Sequence, residues 1–217
     1  MLKFFSKPWV PYVTPFLVTL ICSEAGFFLP QWRFQLLISG GVISATMLYI
    51  WREHVKDDVS TSAYFTHTLA GAAAGLLLAA LWYLSICTGI SSPEPLQMAE
   101  LWSGVRKYII IILTTGVYTL IYPIVAELFW RSFLLRYFIA PDFKSIPLGT
   151  FNLFSFTMVV ILGTLPTSNY STYLFISSLT FTCITLWSKN IYCSIIAHVV
   201  ANTCIVWMAL QMGIAFW

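Results

Sequence analysis

Charge is what this sequence has least of. Only 9% of its 217 residues are Asp, Glu, Lys or Arg, against about 25% in a soluble domain. Hydrophobic residues make up 59% and the mean hydropathy is +0.84. That shortage excludes an ordinary soluble domain and points to an integral membrane protein with the lipid bilayer as its first partner. A net charge of +3 is too small for a nucleic-acid surface and reads instead as loop orientation. HExxH, GxSxG, an aspartyl dyad and a glycine-rich phosphate loop are all missing from the sequence, so the hydrolase and nucleotide-binding classes they mark have no support. No CxxC occurs. The five cysteines (Cys22, Cys87, Cys183, Cys193, Cys204) lie mostly inside apolar runs, an odd set better suited to packing than to disulfides or zinc. With no internal repeat or low-complexity tract, residues 1–217 read as a single integral membrane domain.

What is present is a series of apolar runs separated by turn-forming or polar segments. The first covers residues 9–29, after Lys3 and Lys7, and stops at Pro30. Its small-residue cleavage pattern is poor, so it reads as a retained span rather than a signal peptide. The second covers residues 34–51 and leads into Arg52, Glu53, His54, Lys56, Asp57 and Asp58, a mixed charge run expected to be a solvated loop. The third covers residues 64–89, where Gly71 and Gly75 form a small-xxx-small face for close helix approach. A connector with Pro93, Glu94, Pro95 and Glu100 follows. The fourth covers residues 106–130, with a helical continuation to 138. Three more cover residues 151–165, 170–187 and 191–212, the first two forming a tight hairpin around residues 166–169. Each is near the ~20 residues a bilayer requires. The expected fold is therefore an all-α polytopic membrane helix bundle of about seven transmembrane helices.

Basic residues orient it. With the N-terminus cytoplasmic, Lys3, Lys7, Arg52, Lys56, Arg131, Arg136, Lys144 and Lys189 gather on the inner side, and only Arg33, Arg106 and Lys107 on the outer side.

Two apolar helices carry polar pairs at i and i+4: Glu127 with Arg131, and His198 with Asn202. Pro123, four residues before Glu127, is placed to kink the helix and free a carbonyl beside the charged pair. Intramembrane ionisable groups are costly and face the protein interior or a watery cavity. Carboxylate, imidazole and amide together could activate a water and stabilise an oxyanion. They could equally form a hydrogen-bonded cluster that fixes helix register. The residues alone leave both readings open.

The stretch 123–137 (PIVAELFWRSFLLRY), the loop 141–149 (PDFKSIPLG) and His198 with Asn202 resemble the CPBP intramembrane proteases, the group that includes the CAAX-processing endopeptidases. More narrowly they are similar to the CAAX-protease-related proteins that accompany bacterial exosortase systems, which implies a bacterial inner-membrane location. The family-like core spans about residues 105–214. The resemblance assigns the catalytic pattern to Glu127, Arg131, His198 and Asn202 but meets two departures. The family's EExxxR falls on Ala126, Glu127 and Arg131, so the first glutamate, the presumed base, is alanine. The family's second-motif histidine falls on Leu165. Neither alanine nor leucine can move a proton through its side chain. One residue along a helix turns a side chain by about 100°, so Glu127 does not take over the direction of Ala126.

The leading expectation is a catalytically degenerate peptidase, a pseudoprotease that binds a membrane segment or membrane-embedded partner. An active intramembrane endopeptidase acting on lipidated or sorting-signal proteins is the first alternative. A small permease or assembly subunit is the second. Ala126 as an engineered substitution is a further possibility that leaves Leu165 unexplained. No cofactor and no metal are expected, because His198 would be a lone nitrogen ligand.

Overall fold

The computed structural model describes residues 7–59, 65–90, 104–165 and 171–214. Lys3, the 91–103 connector with its prolines and glutamates, and the 166–169 turn lie outside the described residues. Every regular element among the described residues is helical: α1 (Val10–Phe28), a short 3-10 turn (Pro30–Trp32), α2 (Arg33–Ile50), α3 (Arg52–Val59), α4 (Phe65–Cys87), α5 (Val105–Tyr137), α6 (Leu153–Leu162), α7 (Ser171–Ser188) and α8 (Ile191–Met212).

Four of these are long and apolar enough to cross a membrane: Pro30–Ile50, Phe65–Cys87, Val105–Tyr137 and Ile191–Met212. The other three expected spans are shorter apolar helices, Val10–Gly26, Leu153–Leu162 and Thr172–Ser188. A ten-residue helix such as α6 rises only about 15 Å, half of a ~30 Å hydrocarbon core. Length therefore sets α6 well apart from the four full-length candidates, although its composition resembles that of a span.

The centre of the bundle is the packing of α4 against α8. Gly71, Gly75, Leu78, Ala79 and Trp82 are buried along one face of α4, and Ala197, Ala201, Ile205 and Ala209 face them from α8. The expected small-xxx-small contact is this one. A Cβ on Gly75 would lie 2.5 Å from the Ala197 carbonyl oxygen, and one on Gly71 2.6 Å from that of Cys193. Because the obstacle is backbone, the helices must separate to admit a methyl group. Gly75→Ala is expected to cost about 1–3 kcal/mol, the usual range for overpacking, read as a lower thermal midpoint in detergent. The same change at Gly116, where nothing lies within 4 Å of the new Cβ, should stabilise slightly or do nothing.

The segment 52–59, expected as a solvated loop, is instead the helix α3 with Val55 and Asp58 buried. Its charges divide by face. Arg52, Glu53 and Lys56 stay in solvent, while Val55 and Asp58 are three residues apart and turn inward together. The Asp58 carboxylate accepts from Tyr12 Oη at 2.6 Å, Ser132 Oγ at 2.7 Å and an Arg136 terminal nitrogen at 2.8 Å. Phe143 lies edge-on to Tyr12, with centroids 5.2 Å apart, and beneath the Arg136 guanidinium. Lys144 donates to the His54 carbonyl at 2.8 Å. One buried ion pair thus ties α1, α3, α5 and the loop after α5 into a single knot. The five cysteines are all free thiols.

Candidate functional site

Helix α5 sets the site, and its backbone departs from α geometry twice. Val117–Ile121 and Leu128–Leu134 are π-helical, flanking the α-helical segment Tyr122–Glu127. In the first π stretch the Tyr122 N–H reaches back five residues to the Val117 carbonyl. The next carbonyl in that register, Tyr118, would look to residue 123, which is proline and has no N–H. The carbonyl left over lies about two turns before the charged pair rather than beside it, and another helix serves it: Asn202 Nδ2 donates to Tyr118 O at 2.9 Å.

One turn past Pro123, Glu127 is fully buried. Its Oε1 lies 2.8 Å from His198 Nδ1 and 3.3 Å from an Arg131 terminal nitrogen. Arg131, also buried, extends its other terminal nitrogen to the Ser178 carbonyl at 3.1 Å and the Ser178 hydroxyl at 3.4 Å. Phe181 stacks on the His198 ring, with centroids 4.6 Å apart and planes 20° apart, and Tyr122 meets the imidazole edge-on at 5.8 Å. The imidazole is therefore fixed by a carboxylate on one nitrogen and aromatic rings around it.

Of the four expected site residues, Glu127, Arg131 and His198 form one cluster, whereas Asn202 binds a backbone carbonyl about two turns before it. Ala126 is buried. Leu165 is 68% exposed, on the turn that follows α6, whereas Glu127 is wholly enclosed. Two polar atoms of the cluster, Glu127 Oε2 and Arg131 Nε, are buried with no hydrogen-bond partner. Among the described residues no group of three or more His, Cys, Asp or Glu side chains could hold a metal ion.

Asn202→Leu removes the amide that donates to the Tyr118 carbonyl, and is expected to cost about 1–3 kcal/mol. Pro123→Ala supplies the missing N–H. In the Pro123→Ala background the Asn202→Leu penalty should fall, so a double-mutant cycle by thermal unfolding should give a coupling of about 0.5–3 kcal/mol. Additive losses would show that the proline does not create the need for the amide.

A helical membrane bundle with a carboxylate, a guanidinium and an imidazole joined across α5 and α8 defines the class: an integral membrane protein with a buried polar site. Residues 108–204 match the family model described as type II CAAX prenyl endopeptidase Rce1-like, which supports placing the chain with the CPBP/CAAX proteases. The match covers a little under half of the chain and contains the whole Glu127, Arg131 and His198 cluster. No curated protein and no solved structure matches the chain.

Proposed function

We propose that this is a CPBP/CAAX-protease-like membrane protein whose proteolytic chemistry has degenerated, and which binds a membrane segment or membrane-embedded partner. The observation that carries this reading is the state of Glu127. The one carboxylate near the family's base position is enclosed and shared between Arg131 and His198, while Ala126 and Leu165 supply no proton acceptor. A general base must come within hydrogen-bond reach of the proton it removes, and a carboxylate held by two cationic or polar donors is poorly suited to that. In the same reading the protein belongs to the exosortase-associated subgroup of a bacterial inner membrane, with a cytoplasmic N-terminus and seven membrane-embedded helices, three of them short.

The test is a proteolysis assay in membranes with a labelled lipidated or sorting-signal peptide. The unaltered protein should be silent and the Ala126→Glu, Leu165→His double variant should gain cleavage. The second reading, an active endopeptidase, draws on the 2.8 Å contact between Glu127 and His198, a carboxylate–imidazole pair of the kind that orients a base. Cleavage by the unaltered protein, abolished by Glu127→Gln, would establish that second reading and overturn the first.

A further inference from the structure

Only one of the two ring nitrogens of His198 is engaged. Nδ1 lies 2.8 Å from Glu127 Oε1, and an ionised carboxylate can only accept, so Nδ1 carries the proton. Arg131 already gives that carboxylate its counter-charge, so the contact does not require the imidazole to be a cation. In the neutral ring a proton on Nδ1 leaves Nε2 as a lone-pair acceptor. Among the described residues Nε2 has no hydrogen-bond partner. Asn202, one turn further along α8, has its amide on the Tyr118 carbonyl instead. Nor is Nε2 shut away. The enclosed partnerless atoms of the cluster are Glu127 Oε2 and Arg131 Nε. Glu127 has no exposed side-chain surface, whereas 12% of the His198 side chain is exposed. Phe181 stacked on the ring and Tyr122 against it edge-on hold the imidazole in this orientation.

The depth of this atom decides what can reach it. His198 is about two turns inside the candidate span Ile191–Met212, a level at which lipid tails offer no donor. An acceptor without a donor is costly in such a medium, and a membrane-embedded segment is the natural carrier of one. The donor should be uncharged, because the Glu127–Arg131 pair is already balanced and a cation would enter without a counter-ion. We propose that His198 Nε2 is the recognition atom of this site. It accepts a hydrogen bond from a hydroxyl or amide on an apolar membrane segment, with Glu127 as the positioning residue that fixes the tautomer. This rests on the reading of the site as one that binds a membrane segment, and it adds what that segment must carry.

The test uses diethyl pyrocarbonate, a small neutral reagent that acylates the unprotonated nitrogen of imidazole. It is applied to the unaltered protein in lipid vesicles, and the modified histidines are located by peptide mass spectrometry. His54, exposed on α3, is the internal reference. His198 should react at a rate within about tenfold of His54, since tenfold is an access cost of only about 1.4 kcal/mol. The binding probes are two synthetic transmembrane helices of leucine and alanine. They differ at one residue, serine or alanine, placed two turns from one end to match the depth of His198. The serine helix should slow the His198 reaction about 3- to 30-fold more than the alanine helix, the preference that one hydrogen bond between membrane helices confers. His54 should be unaffected by either. If His198 reacts only after denaturation, Nε2 is enclosed and the inference is wrong, while the binding reading stands. Equal protection by both helices would mean that the site holds an apolar segment without using Nε2, which also overturns the inference alone. Protection by neither would remove the binding reading and the inference with it.

Discussion

Asp58→Ala is expected to destabilise the protein by about 3–5 kcal/mol, the usual cost of breaking a buried ion pair from one side. Removing the carboxylate leaves Arg136 at 4% exposure with its charge uncompensated, and takes the acceptor from Tyr12 and Ser132 as well. Because the knot joins α1, α3, α5 and the following loop, the loss should appear as one cooperative drop in thermal midpoint rather than as local fraying. The neighbouring change Asp57→Ala makes the comparison sharp. Asp57 is on the exposed face of α3, and surface changes of that kind are usually within ±0.5 kcal/mol. Thermal unfolding of both variants in the same detergent decides the matter, and equal midpoints would mean that the Asp58 pair contributes nothing.

The second large effect is expected at Glu127. Glu127→Ala strands the Arg131 guanidinium and removes the partner of His198 Nδ1 together, again about 3–5 kcal/mol. Removing both charges with Glu127→Leu and Arg131→Met should cost less than either charge-removing single change, because no uncompensated ion remains and well-packed apolar replacements of buried pairs are often tolerated. Midpoints for the two single variants and the pair, arranged as a cycle, measure this. A pair that loses the sum of both singles would show that the ions do not compensate each other.

These two networks differ in how far the sequence could reveal them. Glu127 with Arg131 and His198 with Asn202 were visible as i, i+4 pairs, because the α period places such residues on one face. The glycine face of α4 was equally legible from Gly71 and Gly75. Asp58 was not, because within a run of six charged or titratable residues nothing but its spacing from Val55 separates it from its exposed neighbours. Arg136 was hidden by geometry. In a regular α-helix it would be rotated about 140° from Arg131, so both could not be expected to turn inward. The π turn Leu128–Leu134 shifts that phase, with the Leu135 N–H bonding to Trp130 five residues back. The short length of α6 was blurred by residues 151–152 and 163–165, which extend the apolar run without extending the helix, whereas α1 and α7 match their runs to within a residue at each end. The role of Asn202 was half legible: its face was right, but the carbonyl it serves exists only because a proline falls in a π register.

The placement of these charges along the chain also sets a timetable for assembly. When α5 is synthesised it carries Glu127, Arg131 and Arg136 into an apolar setting. Arg136 finds its counter-ion ready, since Asp58 was made 78 residues earlier. Glu127 must wait, because His198 comes 71 residues later. In the interval Arg131, four residues away on the same helix, is the counter-ion within reach. The i, i+4 pair is therefore a travelling companion: it lets α5 enter the membrane carrying its own neutralisation, and α8, arriving last, turns a self-sufficient pair into a shared site.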